Sequence, residues 1–393
     1  MGESTHVVVR AERATVPSGD LTVHPPGRPL VVAAAGPIWA TVTADTSVTA
    51  LLRSDDDGAS WRPRLSWTGT PLNAVVFGAD RMALHLNLWP QRAAHVNGER
   101  LPPDRAWYSA IASSVDGGES WTIADVPADA IGAAHFLDLS RCWVTLLPDR
   151  HGPGPWRLAG SRDAGATWTL TPLPPGVTAH EVAFHTGTDG VLASGHSPDG
   201  FGVHVTGDGG LTWHHERLRL PRGVNRRVAP HLSGLWPAAD GRHALAMRAT
   251  TASEHQAGQP AAAGLYLYTR AEDGEWPAPT RLPTTCSWLF PEIVTPPRGG
   301  DLWAASDHDL WATDAGPAGP WRRARIPLAA SDCVTAVIPG PANTLWVAAT
   351  GRPGLMPNRV VNLYRSLDGG GSWTRWPGWG DATIRRHHTS GSS

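Results

Sequence analysis

Lysine is absent. All 33 basic residues of the 393-residue chain are arginine, set against 35 Asp and Glu for a net charge of −2. Such balance excludes a strong global field, and with it broad electrostatic capture of nucleic acid or an anionic membrane surface. Cysteine is scarce: Cys142, Cys286 and Cys333 lie far apart and are odd in number, so neither a disulfide framework nor a zinc ribbon follows, and buried free thiols are expected. No run of 18 apolar residues occurs, which excludes a spanning helix. The first residues, Met1 to His6, lack a basic segment followed by an apolar run; no secretion signal is read and a cytoplasmic location is expected. No segment sustains a 3.6-residue apolar period, and 43 glycines and 36 prolines interrupt the chain too often for long helices.

What the chain has in quantity is one eight-residue pattern, [ST]-x-D-x-G-x-[ST]-W. It occurs at Ser54–Trp61, Ser114–Trp121, Ser161–Trp168, Thr206–Trp213 and Ser366–Trp373. Short side-chain oxygens bond nearby backbone N–H groups, and glycine supplies a positive φ that other residues resist, so the pattern is turn chemistry. Strand-like runs such as Val48–Arg53 and Val360–Arg365 precede it, and the tryptophan re-enters a strand where its ring clamps the turn. Each copy therefore reads as the tip of a β-hairpin. The acidic run Asp55–Asp57 lacks the downstream glutamate of a calcium loop, and no metal or cofactor is expected.

These residues resemble the Asp-box (BNR) repeat of sialidase-like β-propellers. The resemblance implies an all-β fold of four-stranded antiparallel blades, with each box on the turn between the third and fourth strands, on the face away from the ligand site. Decayed boxes close on Trp276 and Trp321; successive box tryptophans then lie 45 to 63 residues apart. That period predicts a single seven-bladed propeller over residues 1–379, with six blades as the alternative, and a flexible tail over 380–393. The strand His6–Arg10 is expected to close the last blade. The features of true sialidases are missing: Arg28-Pro29-Leu30 is the nearest N-terminal motif, in the wrong order, and Tyr108, Tyr266, Tyr268 and Tyr364 all sit on strands leading into boxes. A strict sialidase is therefore rejected.

With boxes on one face, function is expected on the other, in the long excursions 87–105, 250–263 and 351–359 and in the inter-blade connections. Candidate acid–base residues stand where inner strands begin: His180, Glu181, His231, Glu292 and Asp332. Arg92 and His95, His255, Arg352 and Arg359 are the candidate ligand-binding residues of the excursions. Arg222, Arg226 and Arg227 join them from the connection at 217–227, because guanidinium forks suit carboxylate or phosphate. The neighbouring Arg217 and Arg219 read as a solvated outer strand, and His204, His214 and His215 as structural residues of outer strands. Three functions follow: an enzyme with a top-face pocket for a glycan-like or other polar, anionic small substrate, hydrolase or lyase by resemblance; a non-catalytic propeller that binds a protein partner; or a tailoring enzyme of secondary metabolism. Fold alone does not choose among them.

Overall fold

The computed structural model describes residues 2–3, 6–14, 30–32, 37–43, 48–56, 58–88, 95–101, 109–127, 131–148, 155–196, 198–221, 230–237, 243–249, 264–271, 274–283, 292–294, 302–306, 309–314, 319–328, 332–339, 343–351, 362–376 and 383–384. Of the sites expected from sequence, Arg92, Arg222, Arg226, Arg227, His255, Arg352 and Arg359 lie outside these described residues.

The described chain is all-β and propeller-like; its one helical element is a 3-10 turn at Ala11–Arg13. In chain order the strands are β1 (Gly2–Glu3), β2 (His6–Arg10), β3 (Leu30–Val32), β4 (Ile38–Thr43), β5 (Val48–Ser54), β6 (Ser60–Val76), β7 (Met82–Leu88), β8 (His95–Val96), β9 (Glu99–Arg100), β10 (Ser109–Ser114) and β11 (Ser120–Asp125). There follow β12 (Ile131–Phe136), β13 (Cys142–Leu146), β14 (Arg157–Ser161), β15 (Thr167–Pro172), β16 (Thr178–Phe184), β17 (Gly190–His196), β18 (Gly202–Thr206) and β19 (His214–Arg217). The remainder are β20 (Pro230–Pro237), β21 (His243–Ala249), β22 (Gly264–Thr269), β23 (Thr280–Arg281), β24 (Glu292–Val294), β25 (Leu302–Ser306), β26 (Asp309–Thr313), β27 (Arg322–Ala324), β28 (Asp332–Pro339), β29 (Leu345–Gly351), β30 (Asn362–Ser366), β31 (Thr374–Arg375) and β32 (Thr383–Ile384).

Up-and-down antiparallel meanders are the repeating unit. β16–β19, β20–β23, β24–β27 and β28–β31 are each a four-stranded sheet, and β12–β15 carries β1 as a fifth, outer strand. The 17-residue β6 does double duty. Its first part pairs with β5 as the last strand of the meander that begins at β3, and from Gly69 it pairs with β7 as the first strand of the next.

Each meander packs its apolar face on the next. Trp39, Leu51 and Leu65 meet Leu84, Leu86 and Ile123; Ala83 and Ile111 meet Phe136, Val144 and Trp168; Trp143 and Leu158 meet Val182 and Phe184. The pattern continues through Val191 and Val203 with Tyr266 and Tyr268, Leu267 with Leu302 and Ala304, and Leu310 with Val337 and Val347. It then returns to the start, where Ile38, Ala40 and Trp61 pack on Ile338, Trp346 and Leu363. First strands also adjoin in sequence (β6 to β12, β12 to β16, β16 to β20, β24 to β28) and β28 adjoins β3, so the arrangement closes.

The repeated turn explains its own sequence. Ser54 Oγ receives the Gly58 N–H at 2.8 Å and donates to Asp56 Oδ1 at 2.9 Å; Asp56 in turn accepts from Ser60 N at 2.7 Å and Ser60 Oγ at 2.6 Å. The same four bonds recur in the copies centred on Asp116, Asp163, Asp208 and Asp368. The glycine is needed twice over. Gly210 has φ +92°, and a Cβ there would sit 2.5 Å from Leu158 Cδ2 of the preceding meander.

One expectation is corrected. β2 does not complete the last sheet, which finds its fourth strand in β31; it pairs antiparallel with β11, as a fifth strand on the meander containing β7. Val9 is buried in the cluster under that sheet while Val8 faces solvent, the period of two that fixes a strand's face. The excursion after β7 contains in its described part the β8–β9 hairpin, which pairs with β6 at Trp67. Buried Asn97 at its tip accepts from Ser66 N at 2.7 Å and donates to Arg10 O at 2.8 Å. Exposed strand edges need covering, and this hairpin covers one. Within 380–393, Thr383–Ile384 pairs parallel with Ser60–Trp61.

Candidate functional site

The repeated turns define one face. Gly117 N donates to Asp80 O, Ala164 N to Ser140 O, Gly209 N to Thr188 O and Gly369 N to Asn343 O, all at 2.8–2.9 Å. Each bond joins a box turn to the turn between the first and second strands of its own sheet. First strands therefore begin at the opposite end.

Near that opposite end the first strands share an irregularity. One extra residue interrupts the ladder at Leu72 in β6, His180 in β16, Ser233 in β20 and Thr335 in β28. On the partner strands β7, β17, β21 and β29 the break always falls between the fourth and fifth residues. In β12, Gly132 and Ala133 oppose Thr145, the fourth residue of β13. Bulges at one depth in five first strands form a level at which the ladder is broken and the extra residues are left outside it. Bulges of this kind gather at barrel rims and beside active sites, where they re-aim a side chain.

His180, His231 and Asp332 fall at or above this level, and Glu181 and Glu292, opposite the fourth residues of β17 and β25, fall just below it. His180 is itself a bulge residue, and His231, Glu292 and Asp332 are the second, first and first residues of β20, β24 and β28. The fold thus brings His180, Glu181, His231, Glu292 and Asp332 to one end of the first strands. Glu181 can be followed further. It lies opposite Ala193, and Ala183, two residues on, lies opposite Val191. Ala183, Ala193 and Val191 all belong to the apolar cluster shared with Tyr266 and Tyr268. Glu181 is therefore a half-buried carboxylate on an otherwise apolar face, on the side of β16 towards β20. His95 is on β8, in the hairpin docked on β6. Arg217 and Arg219 are exposed, as expected of a solvated strand.

Sequence reasoning missed the polar groups that tie first strands together. Asn73 Nδ2 donates to Ala134 O at 2.9 Å, and His135 Nε2 lies 2.8 Å from Phe184 O. Burial pushes His135 down to about 4, so it is neutral at physiological pH and Nε2 is the donor to that carbonyl. Buried His85 sits 2.8 Å from Ser109 Oγ and is pushed down to about 3 by desolvation. Nothing in the local sequence distinguishes these residues from rim histidines. Cys142 is a buried free thiol raised to about 12, chiefly by burial, so it is inert as a nucleophile. No helix among the described residues is long and apolar enough to cross a membrane.

No protein-family model matches the chain, and no curated protein does. Among solved structures it is similar to YCF48 bound to D1 peptide, with 16% identity, a TM-score of 0.49, and coverage of 78% of this chain and 81% of that one. It is also similar to YCF48 from Cyanidioschyzon merolae, with 14% identity, TM-score 0.49, and coverage of 79% and 85%. Penicillium chrysogenum α-L-arabinanase complexed with arabinobiose gives 15% identity, TM-score 0.41, and coverage of 93% and 97%. At these values the likeness assigns neither an activity nor a partner.

Proposed function

We propose that the chain is a seven-bladed Asp-box propeller over residues 1–379, with a ligand site at the mouth opposite the box turns. The closed succession of packed meanders supports the blade number, counting the two halves of β6 separately. The site takes a glycan-like or other polar, anionic small molecule, on which the protein acts as a glycosidase-like hydrolase or a lyase. The observation that supports this reading is the common level of the bulges towards the end of the first strands opposite the box turns, the end to which we assign His180, Glu181, His231, Glu292 and Asp332. Glu181, on its apolar face, has the environment that suits a general acid, with His180 as its partner base. Arg222, Arg226 and Arg227 precede β20 in sequence and supply guanidinium forks for a carboxylate or phosphate. Arg92, Arg352, Arg359 and His255 complete the proposed set, and no cofactor is invoked.

The test is a thermal-shift panel of neutral glycans, sugar acids and phosphorylated sugars on purified protein. A ligand at a hundred times its Kd adds about 2.7 kcal/mol, a shift of a few degrees for a chain of this size. Glu181→Gln should preserve binding while abolishing turnover, and Arg227→Ala should weaken binding. Silence across the panel, combined with capture of a defined peptide on the same face, would replace this reading with the protein-binding one.

A further inference from the structure

The outer edges of the sheets are guarded unequally. Among the described residues, β19, β23, β27 and β31 end their sheets with only two to four residues each. Each carries an exposed arginine: Arg217, Arg281, Arg322 with Arg323, and Arg375. Short length and charge are the usual protections of an open strand edge. β2 is different. It ends its sheet with five residues, His6-Val7-Val8-Val9-Arg10, three of them β-branched in succession. Val8 at its centre is 64% exposed, and its one arginine stands at the far end.

The ladder fixes which backbone groups of β2 are open. Arg10 lies opposite Ser120, and the next residue, Ala11, donates its N–H to Glu119 O at 2.9 Å. Bonding residues alternate along an antiparallel pair. Val7 and Val9 therefore bond β11, while His6, Val8 and Arg10 turn their N–H and C=O groups outward. Arg10 O follows that rule, for it accepts from Asn97 Nδ2 at 2.8 Å. The β8–β9 hairpin thus occupies the Arg10 end, where Arg13 also pairs with Glu99. The stretch from His6 to Val9 stays open, and among the described residues nothing pairs with the N–H or C=O of Val8.

We propose that this edge joins the same edge of a second copy, antiparallel, in a twofold-symmetric dimer. Because Asn97 holds the Arg10 end, the twofold axis falls at Val7. Val8 then exchanges two backbone hydrogen bonds with the partner's His6, and His6 does the same with the partner's Val8. Val7 meets the partner's Val7 as a non-hydrogen-bonded pair, in which side chains approach more closely. That pair forms on the face where Val7 and Val9 already pack with Trp121 and Ile123, so it extends the apolar cluster of each copy. A net charge of −2 leaves little repulsion between copies. The contact is much smaller than the roughly 1,200–2,000 Å² of a stable complex, so the dimer is weak and forms at high concentration.

Sedimentation velocity on the untagged full chain tests this between about 10 μM and about 1 mM. A reversible monomer–dimer equilibrium is expected, with exchange of the Val8 amide slowed at the higher concentration. Val8→Pro removes the outward N–H and takes no bond from the β2–β11 ladder; Val8→Lys sets a charge on the edge. Each should weaken association about tenfold or more, with exchange at Val7 and Val9 still slow. A monomer throughout the range overturns the proposal, as does a dimer of unchanged strength in Val8→Lys with β2 in place. Should both variants release β2 from β11, the native chain decides. Concentration-dependent protection of the Val8 amide supports the paired edge, and exchange that ignores concentration refutes it.

Discussion

Trp276 Nε1 donates to Glu216 Oε2 at 2.7 Å, across the junction between β16–β19 and β20–β23. In four of the repeated turns the tryptophan finds a carbonyl, as Trp61 does at Gly58 O and Trp168 at Asp125 O. The turn around Gly274 keeps Thr269 but has Ala271 and Glu275 where the pattern has aspartate and the second serine or threonine, and Glu216 takes over the anchoring, its other oxygen holding Arg270 at 2.5 Å. Glu216→Ala should therefore cost about 2–3 kcal/mol, since it strands a guanidinium and an indole N–H at a half-buried junction. Urea denaturation measures this, and a loss below about 0.5 kcal/mol would mean the pair is solvated.

Gly210→Ala should destabilise by about 2–3 kcal/mol, because it combines a positive-φ penalty with a methyl driven into Leu158. Adding Leu158→Ala should return part of the steric cost and none of the backbone cost. A fully additive double variant, measured in the same denaturation assay, would show that the two residues do not touch.

The box carboxylates predict an acid limb. Hydrogen bonds to Asp208, first from the Thr212 hydroxyl and then from the Thr212 backbone N–H, hold it at about 2, against an ordinary value of 3.8. Asp368 is lowered likewise, first by the Ser372 backbone N–H. A folded value below the unfolded one means the stabilisation is complete above about pH 4 and is lost as pH falls towards 2. Chemical-shift titration of the Asp208 carboxyl should give that low midpoint, and Asp208→Asn should flatten the corresponding part of the stability curve. A midpoint near 4 would contradict the hydrogen bonds.

Asn97→Ala should loosen the N-terminal strand. Its amide satisfies Ser66 N and Arg10 O together, and Arg13 pairs with Glu99 beside it. A loss of about 1–3 kcal/mol should appear with faster hydrogen exchange at Val7 to Val9. Unaltered protection there would show that β2 is held by β11 alone.

The boxes and meanders were legible because their determinants are local. The Ser–Asp–Gly–Trp turn is closed by bonds spanning four residues at most, and an apolar run such as Val48–Leu52 announces a strand unaided. Pairings set by distant partners were not legible. Nothing in His6–Arg10 says that β11, and not the last sheet, offers the matching edge, nor that Trp67 supplies one for His95–Val96. The bulges were hidden for a related reason: an extra residue such as His180 is defined by the register of another strand. The starts of the first strands, by contrast, could be located from the box period, as at β20 and β28.

The pairing of Thr383–Ile384 with Ser60–Trp61 also bears on biosynthesis. The N-terminal strand is satisfied as soon as β11 and β15 exist, well before the middle of the chain is made. The opposite terminus must return to the first meander, alongside Trp376, whose ring meets Trp61 edge-on at 6.1 Å. Meanders can stack one after another as they leave the ribosome, but the first meander has no partner for its outer face until β28–β31 have been made. A nascent chain stalled near residue 330 would accordingly be an open arc, with Ile38 and Trp61 still looking for Ile338 and Trp346.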